Sequence, residues 1–341
     1  MAAPDQGTRD GSDVAWRGFV LRYVASFVGA LVLVFAFILL VDPYDSGRFP
    51  SIGIAGISDA TQRTENVSLG RSARFDAAIF GNSHGQLIDP ERLSQLTGLS
   101  VVQLAIPGAN PPEQISVLHW FIRHHGRIGG LVLAVDPRWC GDDPQPWKWF
   151  PFWLYGDSDL AYLANMLSTR SIDAAARRIK NAFGLVHPSD PRGYDDYERG
   201  VTAGYHFDFP PAVPPPPAAA VAAAAAAYAD RRFPAIDWLA GELKAVAADT
   251  PTVILFPPQY ASTFPASADA AGLLRACKAR VAGLVAGSPR RGFLDFLVES
   301  EITRTRANFL DEEHYRAPVA REVEHAIARV LTGQQMETQL R

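Results

Sequence analysis

The sequence predicts an α/β fold: a three-layer sandwich built on a five-stranded, mostly parallel sheet, preceded by one N-terminal transmembrane helix. Three observations predict it. Five short apolar runs recur along the chain, and they are continuous rather than alternating, as in strands covered on both faces. Segments of helical character lie between them, the pattern of parallel strands joined by crossover helices. Ahead of all five, Val24–Val41 reads VASFVGALVLVFAFILLV, eighteen residues without a charge, close to the roughly 20 residues that span a bilayer.

The bulk numbers agree with a globular domain. The chain has 341 residues, 48% hydrophobic and 20% charged, enough for a sizeable core in one large domain or two small ones. Its net charge of −4 excludes the electrostatic footprint of a nucleic-acid binder. Two cysteines, Cys140 and Cys277, exclude a disulfide scaffold and a multi-cysteine metal site. They allow one disulfide in an oxidising compartment, although no distance between them can be read from sequence.

The elements follow in order. Residues 1–15 are polar and read as a disordered tail, and residues 16–41 as the membrane anchor. Arg9, Arg17 and Arg22 precede the apolar run, whereas Asp42, Asp45 and a single Arg48 follow it. That asymmetry favours an N-terminus inside and the bulk of the chain outside. VDPYDSG after the run lacks a small-residue cleavage pattern, so an uncleaved signal anchor is expected, with a cleaved signal peptide as the competing reading. Residues 42–74 carry proline and glycine and read as an extended connector.

The main domain is expected over 75–335. Its strands are FDAAIF (75–80), SVVQLAI (100–106), GGLVLAV (129–135), TPTVILF (250–256) and GFLDFLV (292–298). Helices are expected at 111–126, which has a proline start and a glycine end, and at 268–287 and 317–331. An insertion at about 141–249 separates the third and fourth strands. It holds WKWFPFWLY (147–155), read as a local apolar core with a carbohydrate- or lipid-facing aromatic platform as the alternative, then a helical segment near 157–184, and the run PPAVPPPPAAAVAAAAAAYA (210–229). The prolines there should be extended and exposed, and the alanines are competent for helix. No internal repeat is visible.

Two stretches carry candidate chemistry. IFGNSHGQ (79–86) puts Ser83 directly after the first strand. Ligands bind at the carboxyl ends of strands in open parallel sheets. A serine exposed there can act as a nucleophile, with its own N–H as an oxyanion donor. An ordinary turn rich in glycine, asparagine and serine is the competing reading. The second stretch is NFLDEEHYR (308–316), where Asp311 and His314 stand three apart. One short turn can present that carboxylate and imidazole to the same cleft, as a serine's base and the base's orienting acid require. Against this stands a solvated acidic turn, since Glu312 and Glu313 intervene; a metal pair lacks a third ligand at any obvious spacing. No metal and no cofactor are expected.

Taken together, these motifs resemble the SGNH (GDSL-like) hydrolase superfamily, and within it the membrane-anchored extracytoplasmic branch. That branch includes the D-alanyl-transfer protein of teichoic acid operons and proteins of polysaccharide O-acetylation. Gly81-Asn82-Ser83 after the first strand and Asp311-Glu-Glu-His314 near the end match in type, order and position, and VDPY (41–44) after the anchor is common in such relatives. The resemblance covers roughly residues 41–330. It implies a flavodoxin-like sandwich in the periplasm, tethered to a bacterial inner membrane. It makes Ser83, His314 and Asp311 catalytic, and gives the oxyanion hole to the Ser83 amide and to Gly108 in LAIPGANP (104–111), with Asn110 a nearby side-chain donor.

The match departs at one place. Such proteins carry an asparagine in a Gly-x-Asn-Asp block after the third strand, and this chain has LAVDPRWCGD (133–142), with Asp136 there. An ionised aspartate repels an oxyanion; Asp-Pro also starts turns, so Asp136 has a structural role available. Asn82, His84, Asp136, Gln259 and Tyr260 are candidate substrate contacts, with His84 also open to a structural role. His119, His124 and His125 are ordinary helix histidines. The expected function is acyl-ester transfer or hydrolysis on a cell-surface or secreted polysaccharide, with a multi-spanning membrane acyltransferase as a candidate partner. The alternative is a non-catalytic, membrane-anchored glycan-binding or scaffold protein.

Overall fold

All five apolar runs become strands of one sheet, and the computed structural model pairs every neighbour in parallel. It describes residues 7–54, 61–146, 148–186, 189–201 and 204–334. In chain order the elements are α1 (Gly7–Val41), α2 (Gln62–Arg71), β1 (Ala77–Phe80), α3 (Ser83–Gln86), α4 (Pro90–Thr97), β2 (Val101–Gln103), α5 (Pro111–His124) and β3 (Gly130–Ala134). Then come α6 (Phe152–Tyr155), α7 (Asp159–Met166), α8 (Thr169–Ala182), α9 (Ala218–Ala227), α10 (Pro234–Lys244), β4 (Thr252–Phe256) and α11 (Ala268–Gly283). β5 (Arg291–Asp295), α12 (Glu301–Arg304) and α13 (Ala317–Leu331) complete the fold. Two compact units result: Met1–Ile57 with Ser158–Val186, and Ser58–Asp157 with His187–Arg341. The insertion is therefore not one body, because its 158–186 part belongs with the anchor helix.

The larger unit holds the sheet, in the order β2-β1-β3-β4-β5. This is the flavodoxin-like order, whose switch point lies between β1 and β3. Both faces are covered, which explains the continuous apolar runs. Ala77, Ile79, Val132, Val253 and Leu255 face a core shared with Leu93 of α4 and Val319, Val323 and Ile327 of α13. Alternate residues face the other way; Phe80 meets Phe121 of α5 edge-on, with ring centroids 5.7 Å apart. Right-handed crossovers put α5, α10 and α11 on that second face.

Local chemistry sets the helix ends. Asp89 caps α4 by accepting from the amides of Glu91 and Arg92, and Gly98 closes it with a φ of 75°. The connector differs from its extended reading: α2 is helical and polar yet mostly buried. Its carbonyls and side chains are tied down, because Trp120 Nε1 donates to the Val67 carbonyl (3.0 Å) and Asn66 Nδ2 to the Leu104 carbonyl (2.8 Å). The alanine run becomes α9, which lies against α11. A Cβ on Gly272 would come within 2.5 Å of Ala224 Cβ, so the helices touch through their smallest residues. Of the aromatic stretch, Trp147 lies outside the described residues, while Phe150 is buried and stacks on Tyr155 at 5.0 Å.

In the smaller unit, α1 contains Ala15–Val41, 27 residues long and apolar enough to cross a membrane. α7 and α8 pack against its C-terminal end.

Candidate active site

The turn after β1 is held against the end of β3. Gly81 has a φ of 158°, and a Cβ there would lie 2.9 Å from the Ala134 carbonyl oxygen. A Cβ on Gly85 would lie 2.8 Å from the Ala134 Cβ. Both glycines of GNSHG are thus demanded by close approach, and between them α3 begins at Ser83. As the first residue of that turn, Ser83 has no carbonyl within it for its N–H to reach.

Asn82 fixes the turn from inside. It is fully buried, accepts from the His84 amide at 3.0 Å, and donates through Nδ2 to Asp136 Oδ2. Asp136 in turn accepts from the Arg138 amide at 2.9 Å and caps the short 3-10 helix Pro137–Cys140. Its Oδ2 also stands 3.6 Å from His84 Nδ1 and from an Arg138 guanidinium nitrogen. The carboxylate that stands in place of the expected asparagine is therefore engaged by donors on both oxygens.

The loop after α12 brings the base. Phe309 and Tyr315 form an antiparallel bridge, and the Leu310 amide donates to the His314 carbonyl at 2.7 Å. Between these ties, His314 Nδ1 lies 2.9 and 2.8 Å from the two carboxylate oxygens of Asp311. Its Nε2 lies 2.9 Å from Ser83 Oγ, across 231 positions of sequence. This arrangement can take the serine proton on Nε2 while a carboxylate steadies Nδ1–H. Burial pushes the Asp311 carboxyl up, but the His314 hydrogen bond and charge, with the amides of Glu313 and His314, outweigh it and leave the group below its ordinary value.

The remaining candidates fall in different places. Gly108 has a φ of 66° and lies two residues past Ile106, whose amide donates to the Gly81 carbonyl at 3.0 Å. The 104–108 strand extension thus runs beside the Ser83 turn. Asn110 instead starts α5: its amide donates to Glu113 Oε2 at 2.6 Å, and its side-chain nitrogen donates to the Gln145 carbonyl. Gln259 Nε2 is 3.4 Å from His84 Nδ1. Tyr260 packs into the core, with its hydroxyl 3.2 Å from Arg306 Nε and its amide donating to the Glu312 carbonyl at 2.8 Å. Of the helix histidines, His124 is pushed down by burial. Among the described residues, no group of three or more His, Cys, Asp or Glu side chains is placed to hold a metal ion.

Two contacts were not foreseen from sequence. Tyr197, from the insertion, sets its ring edge against His314 with centroids 5.3 Å apart. Nothing in its local sequence marks it, because its role arises only when the insertion folds back. Glu313 was weighed only as a solvated acid, yet its Oε2 lies 3.5 Å from His84 Nε2. The His84 imidazole holds that carboxyl below its ordinary value, against a smaller opposing effect of burial.

No protein-family model matches the chain. No curated protein matches it either. The case for the site therefore rests on its own geometry.

Proposed function

We propose that this chain is a membrane-anchored serine acyl-ester transferase or esterase of the SGNH kind, acting on a cell-surface or secreted polysaccharide. The observation that carries the reading is the continuous contact from Ser83 Oγ through His314 to Asp311 at hydrogen-bond distances. The position at the switch point of a parallel sheet supports it. So does the pairing of Cys140 with Cys277, which suits an oxidising, extracytoplasmic compartment. The polysaccharide and the inner-membrane setting come from the sequence resemblance.

In this mechanism Ser83 Oγ attacks the acyl carbonyl and passes its proton to His314 Nε2. The Ser83 and Gly108 amides stabilise the oxyanion. His314 then protonates the leaving oxygen, which departs and leaves an acyl group on Ser83. Water or a sugar hydroxyl, deprotonated by the same nitrogen, attacks that acyl group, and Nε2 returns the proton to Ser83 Oγ as the acyl–oxygen bond breaks and the serine is freed. Asp311 holds the ring and remains ionised throughout.

The test uses the full chain in detergent or nanodiscs with a fluorophosphonate probe and an activated acyl ester. Wild type should label and turn over. Ser83→Ala should lose both, and His314→Ala should lose turnover on the order of 10⁴–10⁶-fold, each with little change in thermal midpoint. Wild-type protein that neither labels nor turns over would replace the enzyme reading with the glycan-binding or scaffold reading.

A further inference from the structure

The smaller unit carries apolar surface that its own packing leaves uncovered. The span Ala15–Val41 has 27 residues, or about 40 Å of helix at ~1.5 Å per residue, against a hydrocarbon layer of about 30 Å. The surplus can be located. Side chains from Trp16 to Phe37 are largely exposed, whereas Ile38 and Val41 are buried. One side of the last turn of α1 is therefore covered by protein, while Leu40 and the rest are bare for lipid.

That clothing is rigid. Arg178 of α8, 1% exposed, donates to the Val41 carbonyl and to Asp45 Oδ1, each at 2.8 Å, and to the carbonyls of Asp42 and Ile54. Tyr162 of α7 donates to Asp42 Oδ1 at 3.3 Å, and Arg48 pairs with Asp159 at 3.0 Å. Both helices are thereby fixed where α1 ends.

Each also presents an outward apolar stripe. On α8, Ser171, Ala175 and Arg178 point inward. Ile172, Ala176, Ile179 and Phe183 follow at steps of four, three and four, which places them on a second face. Phe183 is 74% exposed and Leu185, just beyond, 71%. On α7, Leu160 is 78% exposed and Leu167 follows seven residues later. Arg170, Arg177 and Lys180 occupy the arc of α8 beyond the apolar stripe, shared with Asp173, which pairs with Arg177 at 2.7 Å.

We propose that α7 and α8 form an interfacial platform that rests on the bilayer surface where α1 leaves it. The leucine, isoleucine and phenylalanine side chains enter the acyl boundary, and the basic arc lies at anionic headgroups. An apolar face flanked by lysine and arginine is the composition of helices that lie in the membrane plane. Lipid is the occupant because both helices are tied by hydrogen bonds to the end of a helix long and apolar enough to cross a bilayer, and because basic side chains lie beside the apolar stripe. This inference rests on α1 spanning the bilayer and is independent of the acyl-transfer reading.

The test places single cysteines at Leu160, Phe183 and Asn165 of the full chain, the last an exposed residue on the polar side of α7 as control. Each carries an environment-sensitive NBD label, in nanodiscs of phosphatidylcholine and phosphatidylglycerol, under non-reducing conditions that leave Cys140–Cys277 closed. Shallow doxyl lipids should quench Leu160→Cys and Phe183→Cys several-fold more than Asn165→Cys, and aqueous iodide should do the reverse. Iodide access equal to the control at both sites would overturn the proposal. Shielding from iodide without lipid quenching would overturn it in favour of a protein partner or a second copy. Failure of the chain to insert into nanodiscs would remove its basis. Positions on two separate helices keep the result independent of either variant's folding.

Discussion

Asp136 presents a carboxylate where an oxyanion donor is expected, and its neighbours decide what it does. Its oxygens accept from Asn82 Nδ2 and the Arg138 amide, so its charge is engaged in holding the Ser83 turn. Asp136→Ala would leave the buried Asn82 amide without its acceptor, at a cost of about 1–3 kcal/mol. Urea unfolding should show that loss, and ester turnover should fall with it because the Ser83 turn loosens. Unchanged stability with unchanged turnover would mean the contact is idle. Asp311 behaves differently with pH. Its folded-state pKa is depressed, so its stabilising contribution is complete above the unfolded carboxylate range near about 3.9 and is lost as pH falls through the lower folded value. The stability gap between wild type and Asp311→Asn should therefore close as pH falls below about 4. A gap that persisted undiminished well below that range in urea titrations would contradict the assignment. The contact of Ser83 with His314 and Asp311 was legible because the three residues sit in two short motifs. The tie between Asn82 and Asp136 was not, since it joins side chains 54 positions apart whose types suit many other roles.

Elements with plain periodicity were readable, and elements stabilised by partners were not. The five strands announced themselves because both faces of the sheet are buried. The sequence Gln62–Arg71 is polar enough to pass for a connector, and it is a buried helix because Trp120 and Leu104 supply its contacts. The alanine run likewise said nothing of Gly272, the residue that lets α9 and α11 meet. The α3 turn offers a test of such close approach. A Cβ at Gly85 meets Ala134 Cβ at 2.8 Å, so Gly85→Ala must push Ser83 away from His314. A misplacement approaching 1 Å costs roughly 10²-fold in rate, so turnover of Gly85→Ala should drop by about one to two orders of magnitude. Adding Ala134→Gly removes the opposing atom and should restore most of the loss. A double variant as slow as Gly85→Ala alone would show that the glycine serves some other end.

At the scale of the whole chain, the two cysteines join positions that lie far apart in the sequence. Cys140 ends the 3-10 helix after β3, Cys277 lies within α11, and the bond closes 137 positions, most of which belong to the insertion. A loop of that length confines the unfolded chain strongly, by about 5 kcal/mol on the chain-entropy account. The sequence could show two cysteines but not their separation in space, which depends on how β3, β4 and α11 stack. The bond also reports on compartment. If α1 carries the larger unit across a membrane into an oxidising compartment, the pair should form; if that unit stays in a reducing cytoplasm, it should not. Thiol trapping in cells separates the two cases. Full-length protein, alkylated on lysis and then reduced, should expose two new thiols. A chain lacking residues 1–41 should be fully alkylated at the first step and unfold at lower urea concentration. Free thiols in the full-length protein would place its larger unit on the cytoplasmic side, and the extracytoplasmic substrate would have to be abandoned even if Ser83 still labelled.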